Sequence, residues 1–146
     1  MTDQATELTL EVSRLIPAVR EKLFDAWLDP AMLAQFMMPA PNMSVPEATS
    51  DARAGGRFLI VMRVGDKDMP HAGTYKTIDR ANQIVFTWES PMSPVENSIV
   101  TLDFKDAEGG TDVRLTHVRF PSEESRANHE GGWTRILATL AETLGS

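Results

Sequence analysis

The 146-residue chain contains no cysteine. A disulfide framework, a thiolate nucleophile and a cysteine-ligated metal are therefore excluded. Positive charge is scarce too: 14 Lys and Arg stand against 21 Asp and Glu, a formal net charge of −7, and no two basic residues are adjacent. Nucleic acid and anionic membrane surfaces both require clustered positive charge, so neither is an expected partner. No apolar stretch approaches the roughly 20 residues of a membrane span. Met1 to Leu10 carry Asp3 and Glu7 and lack the basic and apolar regions of a signal peptide. A cytoplasmic location is the resulting expectation.

What is present is ordinary for a globular protein, with 42% hydrophobic and 24% charged residues. The length suits one domain, residues 1–146 with about 8–144 ordered. Leu8, Leu10, Val12 and the pair Leu15 and Ile16 alternate with polar residues, as in a half-buried strand. Pro17 then marks a helix start, and Val19, Leu23 and Trp27, widened by Phe24 and Leu28, give that helix an apolar stripe to about residue 28. Asp29-Pro30 opens a second, short helix with Leu33, Phe36 and Met37 on its apolar face, ended by Pro39 and Pro41.

Residues 42 to 120 read as successive strands. Met43, Val45 and Glu47 suggest the first; Phe58, Ile60, Met62 and Val64 the second, with Arg57 and Arg63 on its wet face. Gly65-Asp66 is a hairpin signal. Met69, His71, Gly73, Tyr75 and Thr77 share one face of the next strand. Ile84, Phe86 and Trp88 follow, then Val100, Leu102 and Phe104 after Ser90-Pro91 and Ser93-Pro94, and finally Val113, Leu115 and His117 with Arg119. Ser122 is an expected N-cap, with Glu123 and Glu124 in the first turn of the last helix. His129, Trp133, Ile136, Leu137, Leu140 and Leu144 form one stripe along it, and Gly145 ends it. The pattern predicts an α+β domain: a curved antiparallel sheet of about six to seven strands, two short helices after the first strand, and a long C-terminal helix on the concave face.

Several stretches resemble a known family. They are Trp27-Leu28-Asp29-Pro30, Asp51-Ala52-Arg53-Ala54-Gly55-Gly56-Arg57-Phe58, Gly73-Thr74-Tyr75, Ile84-Val85-Phe86-Thr87-Trp88, Gly110-Thr111 before Leu115-Thr116-His117, and His129 with Gly131-Gly132-Trp133. Together they resemble the START-like (SRPBCC, Bet v 1-like) helix-grip superfamily, in the bacterial branch named after the activator of heat-shock protein 90 ATPase. The resemblance implies an internal cavity between the sheet and the last helix, and it fixes no reaction. The chain departs from the family at residues 32–38, where Phe36-Met37-Met38 stands in place of a tryptophan after the Asp-Pro turn.

Candidate ligand-binding residues on the inward faces are Phe36, Phe58, Met62, His71, Tyr75, Phe86, Trp88, Leu102, His117, His129, Trp133 and Ile136. His71, His117 and His129 are 46 and 12 positions apart and match no metal motif, so no metal or cofactor is expected. His117 and His129 are expected to meet at one end of the cavity, where an imidazole could orient a ligand or exchange a proton. Tyr75 is either a core residue tied by its hydroxyl or a polar handle on ligand. Arg119 could reach a ligand carboxylate at the strand end. The Gly131-Gly132 pair costs a helix roughly 1 kcal/mol per residue, which suggests a close approach, an opening over the cavity, or a helix that starts later. Eight methionines favour an adaptable apolar surface.

The expected function is binding of a small apolar or amphipathic molecule. An enzyme of cyclase or hydrolase type using His117 or Tyr75 is the first alternative, and a chaperone-ATPase interaction module the second. No catalytic residue is assigned, and an exposed Met37-Met38 segment could serve a homodimer.

Overall fold

A computed structural model describes residues 8–38, 42–89, 98–120 and 122–144. The element order is β1 (Thr9–Ile16), α1 (Arg20–Ala26), α2 (Pro30–Phe36), β2 (Met43–Ser50), β3 (Arg57–Val64), β4 (Lys67–Asp79), β5 (Gln83–Thr87), β6 (Ile99–Ala107), β7 (Gly110–Val118) and α3 (Glu123–Leu144). The seven strands make one curled antiparallel sheet in the order β1-β7-β6-β5-β4-β3-β2. Hairpins join β2 through β7 in sequence, while β1 leaves its sequence neighbour and closes the far edge against β7, Leu10 opposite His117. The expected α+β architecture is observed.

Period-two alternation produces the core. Phe58, Ile60 and Met62 on β3, Val100, Leu102 and Phe104 on β6, and Val113, Leu115 and His117 on β7 are all buried. The helix α3 covers this concave face with Trp133, Ile136, Leu137 and Leu140. Its first turn is capped as expected, Ser125 N–H donating to Ser122 Oγ at 3.1 Å. The arginines on the outer face of β3 are exposed and paired, Arg57 with Glu89 and Arg63 with Asp68. Asp29 caps α2 by accepting from Ala31 N–H at 2.9 Å, with Pro30 in its first turn. Among the described residues, no helix is long and apolar enough to cross a membrane.

Five local expectations are corrected. The first helix begins at Arg20, not at Pro17. Thr111 Oγ1 donates to Ala18 O at 2.7 Å, and Gly110 passes so close that a Cβ there would lie 2.2 Å from Ile16 O, so Pro17 and Ala18 are held against β7. Glu47 is exposed and leaves the Met43 and Val45 face, because the β2–β3 register shifts between Ser44 and Glu47, around Pro46, which has no N–H to give the ladder. Thr77 pairs with Val85 rather than sharing the Tyr75 face, since a second shift between Tyr75 and Thr77 brings Ile78 opposite Ile84. Arg119 is not on the last strand: β7 ends at Val118, and Arg119 takes a left-handed φ of 73° and is exposed. Met37 is 1% exposed and belongs to the core, which removes it from any exposed dimer segment. Pro39, Pro41, Ser90-Pro91, Ser93-Pro94 and Gly145 lie outside the described residues.

A candidate ligand cavity under the last helix

The helix α3 runs without a break through Gly131 and Gly132, so late initiation does not occur. Asn128, His129, Gly132, Trp133 and Ile136 recur on one side of it at helical spacing, and with Met43 of β2, Met62 of β3, Met69 and His71 of β4, and Trp88 they line a partly open cavity of about 160 Å³. Gly131 is exposed, with nothing within 4 Å of where a Cβ would stand. Gly132 borders the cavity and contributes no side chain to its wall.

Six of the twelve residues singled out from sequence line this cavity: Met62, His71, Trp88, His129, Trp133 and Ile136. The other six lie in the packed interior. Phe58 contacts both Tyr75 and Phe86 with ring centroids 5.2 Å apart, forming an aromatic layer that fills the middle of the sheet. Leu102 is fully buried, and Phe36 packs edge-on against Trp27 at 5.0 Å. Tyr75 places its hydroxyl 2.8 Å from Ser50 Oγ, so its polar atom is already paired. Burial raises its pKa, with the Ser50 bond opposing.

His117 and His129 do meet, with rings edge-to-face at 5.4 Å. Their chemistry differs. His117 has both ring nitrogens engaged: Nδ1 accepts the indole N–H of Trp133 at 3.0 Å, which leaves the proton on Nε2, 2.6 Å from Ser98 Oγ. Fully buried, it is held neutral, its pKa pulled down to about 3 by burial and further by the neighbouring His129. It is a bracket between β7, α3 and Ser98, with no free nitrogen for a ligand.

His71 and His129 face the opposite situation. His71 Nδ1 lies 2.9 Å from Met69 O and His129 Nδ1 lies 2.9 Å from Ser125 O, so each ring carries its proton on Nδ1. A neutral imidazole with that tautomer keeps Nε2 as an acceptor. Burial pulls the His71 pKa down to about 4, against the opposing Met69 and Ile60 carbonyls and with His129 adding to the decrease. Burial also lowers that of His129, against its Ser125 bond. The His71 ring leans on Trp88 at 5.1 Å, and Trp88 touches Trp133 at 4.9 Å. The buried indole N–H of Trp88 has no partner among the described residues.

The twelve residues leave out Asn128, Met43, Met69 and Gly132 on the wall and Ser98 and Ser50 behind it, although the methionines had a reading as an adaptable surface and the glycine pair one as an opening over the cavity. The positions 128, 132 and 136 do follow the same helical period as 129, 133 and 137, so that part of the wall had a signal. Among the described residues, no group of three or more His, Cys, Asp or Glu is placed to hold a metal ion.

Comparison with known proteins agrees with this architecture. The family model described as Activator of Hsp90 ATPase homolog 1-like protein matches residues 17–145. A Chromobacterium violaceum protein of known structure superposes with a TM-score of 0.85 at 22% identity, over 95% of this chain and 99% of its own. A Silicibacter pomeroyi protein whose crystal structure carries the same family name superposes at 0.79 with 26% identity, over 94% and 97%. An Aeromonas hydrophila AHSA1-like protein, solved in solution, gives 0.79 at 21% identity, over 92% and 90%. No curated protein matches the chain. With the model spanning both short helices, six of the strands and the long last helix, this chain belongs to the Activator of Hsp90 ATPase homolog 1-like family.

Proposed function

We propose that the protein binds a small apolar or amphipathic molecule in the cavity between α3 and the β2–β4 wall. The observation that carries this reading is the wall itself: three methionines, two tryptophans and an isoleucine around an open volume, with two imidazoles, one buried and one half-buried, as polar handles. Such walls suit ligands that are mostly apolar and are oriented by a few fixed polar groups, and thioethers adapt to irregular shapes.

Binding is favoured over a cyclase or hydrolase chemistry. His117 and Tyr75, the residues that such chemistry would use, have their polar atoms engaged inside the protein. The remaining imidazoles are depressed in basicity by burial, which makes them weak general bases near neutral pH.

Native mass spectrometry on protein isolated from its own host tests the reading. A retained non-covalent adduct, lost when Gly132 is replaced by Leu to fill the cavity, is the expected result. An adduct that survives Gly132→Leu unchanged would place the ligand elsewhere.

A further inference from the structure

The cavity has a chemical selectivity that follows from its dimensions and its hydrogen-bonding inventory; this inference rests on the binding reading above. Its volume of about 160 Å³ is close to that of a buried apolar cavity known to admit benzene, about 150 Å³. One six-membered ring with a short substituent fits inside; a fused polycyclic molecule would have to project through the open side or displace the wall.

Among the described residues, the polar side chains on the wall are His71, His129 and Asn128, with the indole of Trp88, and no Lys, Arg, Asp or Glu joins them. Asn128 is exposed and therefore hydrated. The two imidazoles and the Trp88 indole are its buried or half-buried polar groups; each imidazole donates from Nδ1 to a backbone carbonyl of its own segment, and the Trp88 N–H, without a partner among the described residues, can donate to a hydroxyl oxygen. What each imidazole can offer a ligand is the lone pair on Nε2. A ligand with a hydroxyl hydrogen can pair with it, whereas a hydrocarbon leaves it bare and a carboxylate confronts it with a second lone pair.

We infer that the preferred ligand is a neutral, single-ring phenol or aryl alcohol, its ring between Trp88, Trp133 and the methionine thioethers, its hydroxyl donating to Nε2 of His71 or His129. The carboxylate of the same skeleton is disfavoured twice. It must shed its hydration on entering an apolar wall, and it finds no cationic side chain there.

The test is a titration of the unaltered protein at pH 7.5 with 4-ethylphenol, ethylbenzene and 4-ethylbenzoate. It is followed by the ¹H–¹⁵N signals of the Trp88 and Trp133 indoles and the Gly132 amide. The phenol is uncharged at this pH, as tyrosine is. The expected order is phenol, then hydrocarbon about fivefold weaker, the loss of one neutral hydrogen bond of about 1 kcal/mol, then carboxylate more than tenfold weaker than the phenol. Replacing both His71 and His129 by Phe brings phenol and hydrocarbon together, and the ligand series on the unaltered protein stands even where that variant does not fold. Equal affinity for all three, or preference for the carboxylate, overturns the selectivity and leaves the cavity as a binding site. Signals that no probe moves overturn the cavity reading along with it.

Discussion

The indole N–H of Trp133 points its hydrogen at Nδ1 of His117, 3.0 Å away, and so ties the middle of α3 to the last strand of the sheet. This bond also chooses the histidine's tautomer, and through it the direction of the Ser98 bond. His117→Ala removes both hydrogen bonds at once and leaves a buried indole N–H without its acceptor. The expected loss is about 3 kcal/mol, the sum of a truncation and an unpaired donor. Urea denaturation measures it. A loss below 1 kcal/mol would mean that Trp133 is held by its apolar contacts alone. Trp133 being part of the cavity wall, the same variant should weaken ligand without removing it.

Stability should fall on mild acidification. All three histidines are lowered from the ordinary 6.5, to about 4 for His71 and about 3 for His117. The unfolded chain takes up protons as the pH drops through about 6.5, while in the folded chain His71 and His117 take up none until far lower and His129 does so below its ordinary value. The stabilising share of these neutral rings is thus complete above 6.5 and is lost as the pH falls below it, down to about 4 for His71 and about 3 for His117. Each ring contributes up to about 1.4 kcal/mol per pH unit within its window. The carboxylates lowered by their arginine partners, Asp68, Glu89 and Glu123, act only below their ordinary range of about 4. Urea midpoints at pH 7 and pH 5 separate the two groups. Imidazole proton shifts at pH 5 should still report His71 and His117 uncharged, and an ordinary titration near 6.5 for either would contradict their burial.

Gly131→Ala should stabilise the protein. The position is exposed in the interior of a 22-residue helix, and open space surrounds the added methyl. The gain expected from helix propensity is about 1 kcal/mol, read as a higher thermal midpoint. A neutral or lowered midpoint would show that the helix needs its flexibility at this point.

Much of this architecture was legible because one physical rule, burial of one face, writes itself into the sequence at a fixed period. Phe58-Ile60-Met62 and Val113-Leu115-His117 obey period two, and Trp133, Ile136, Leu137 and Leu140 obey the helical repeat. Where the backbone slips, the rule misleads. The shift after Tyr75 exchanged Thr77 for Ile78, and the one around Pro46 turned Glu47 outward. The cavity was only half legible for a different reason. Inward residues are alike in sequence whether they fill space or border it, and Phe58, Tyr75 and Phe86 fill it whereas Met62, Trp88 and Trp133 border it. That difference depends on how far the curled sheet carries each side chain from α3, a long-range quantity. Hydrogen-bond bookkeeping was equally hidden. Nothing in the local pattern around His117 announces that Ser98 and Trp133 would occupy both of its nitrogens.

The pairing of β1 with β7 has a consequence for how the chain is made. Leu10 finds its partner His117 only after more than a hundred further residues have been added. At synthesis rates of about 5–20 residues per second, β1 waits on the order of 5–20 s on the ribosome with its ladder groups unpaired, while the hairpins from β2 onward can form as they emerge. The nascent chain therefore passes through a stage in which a meander still lacking β7 carries an unattached leading strand.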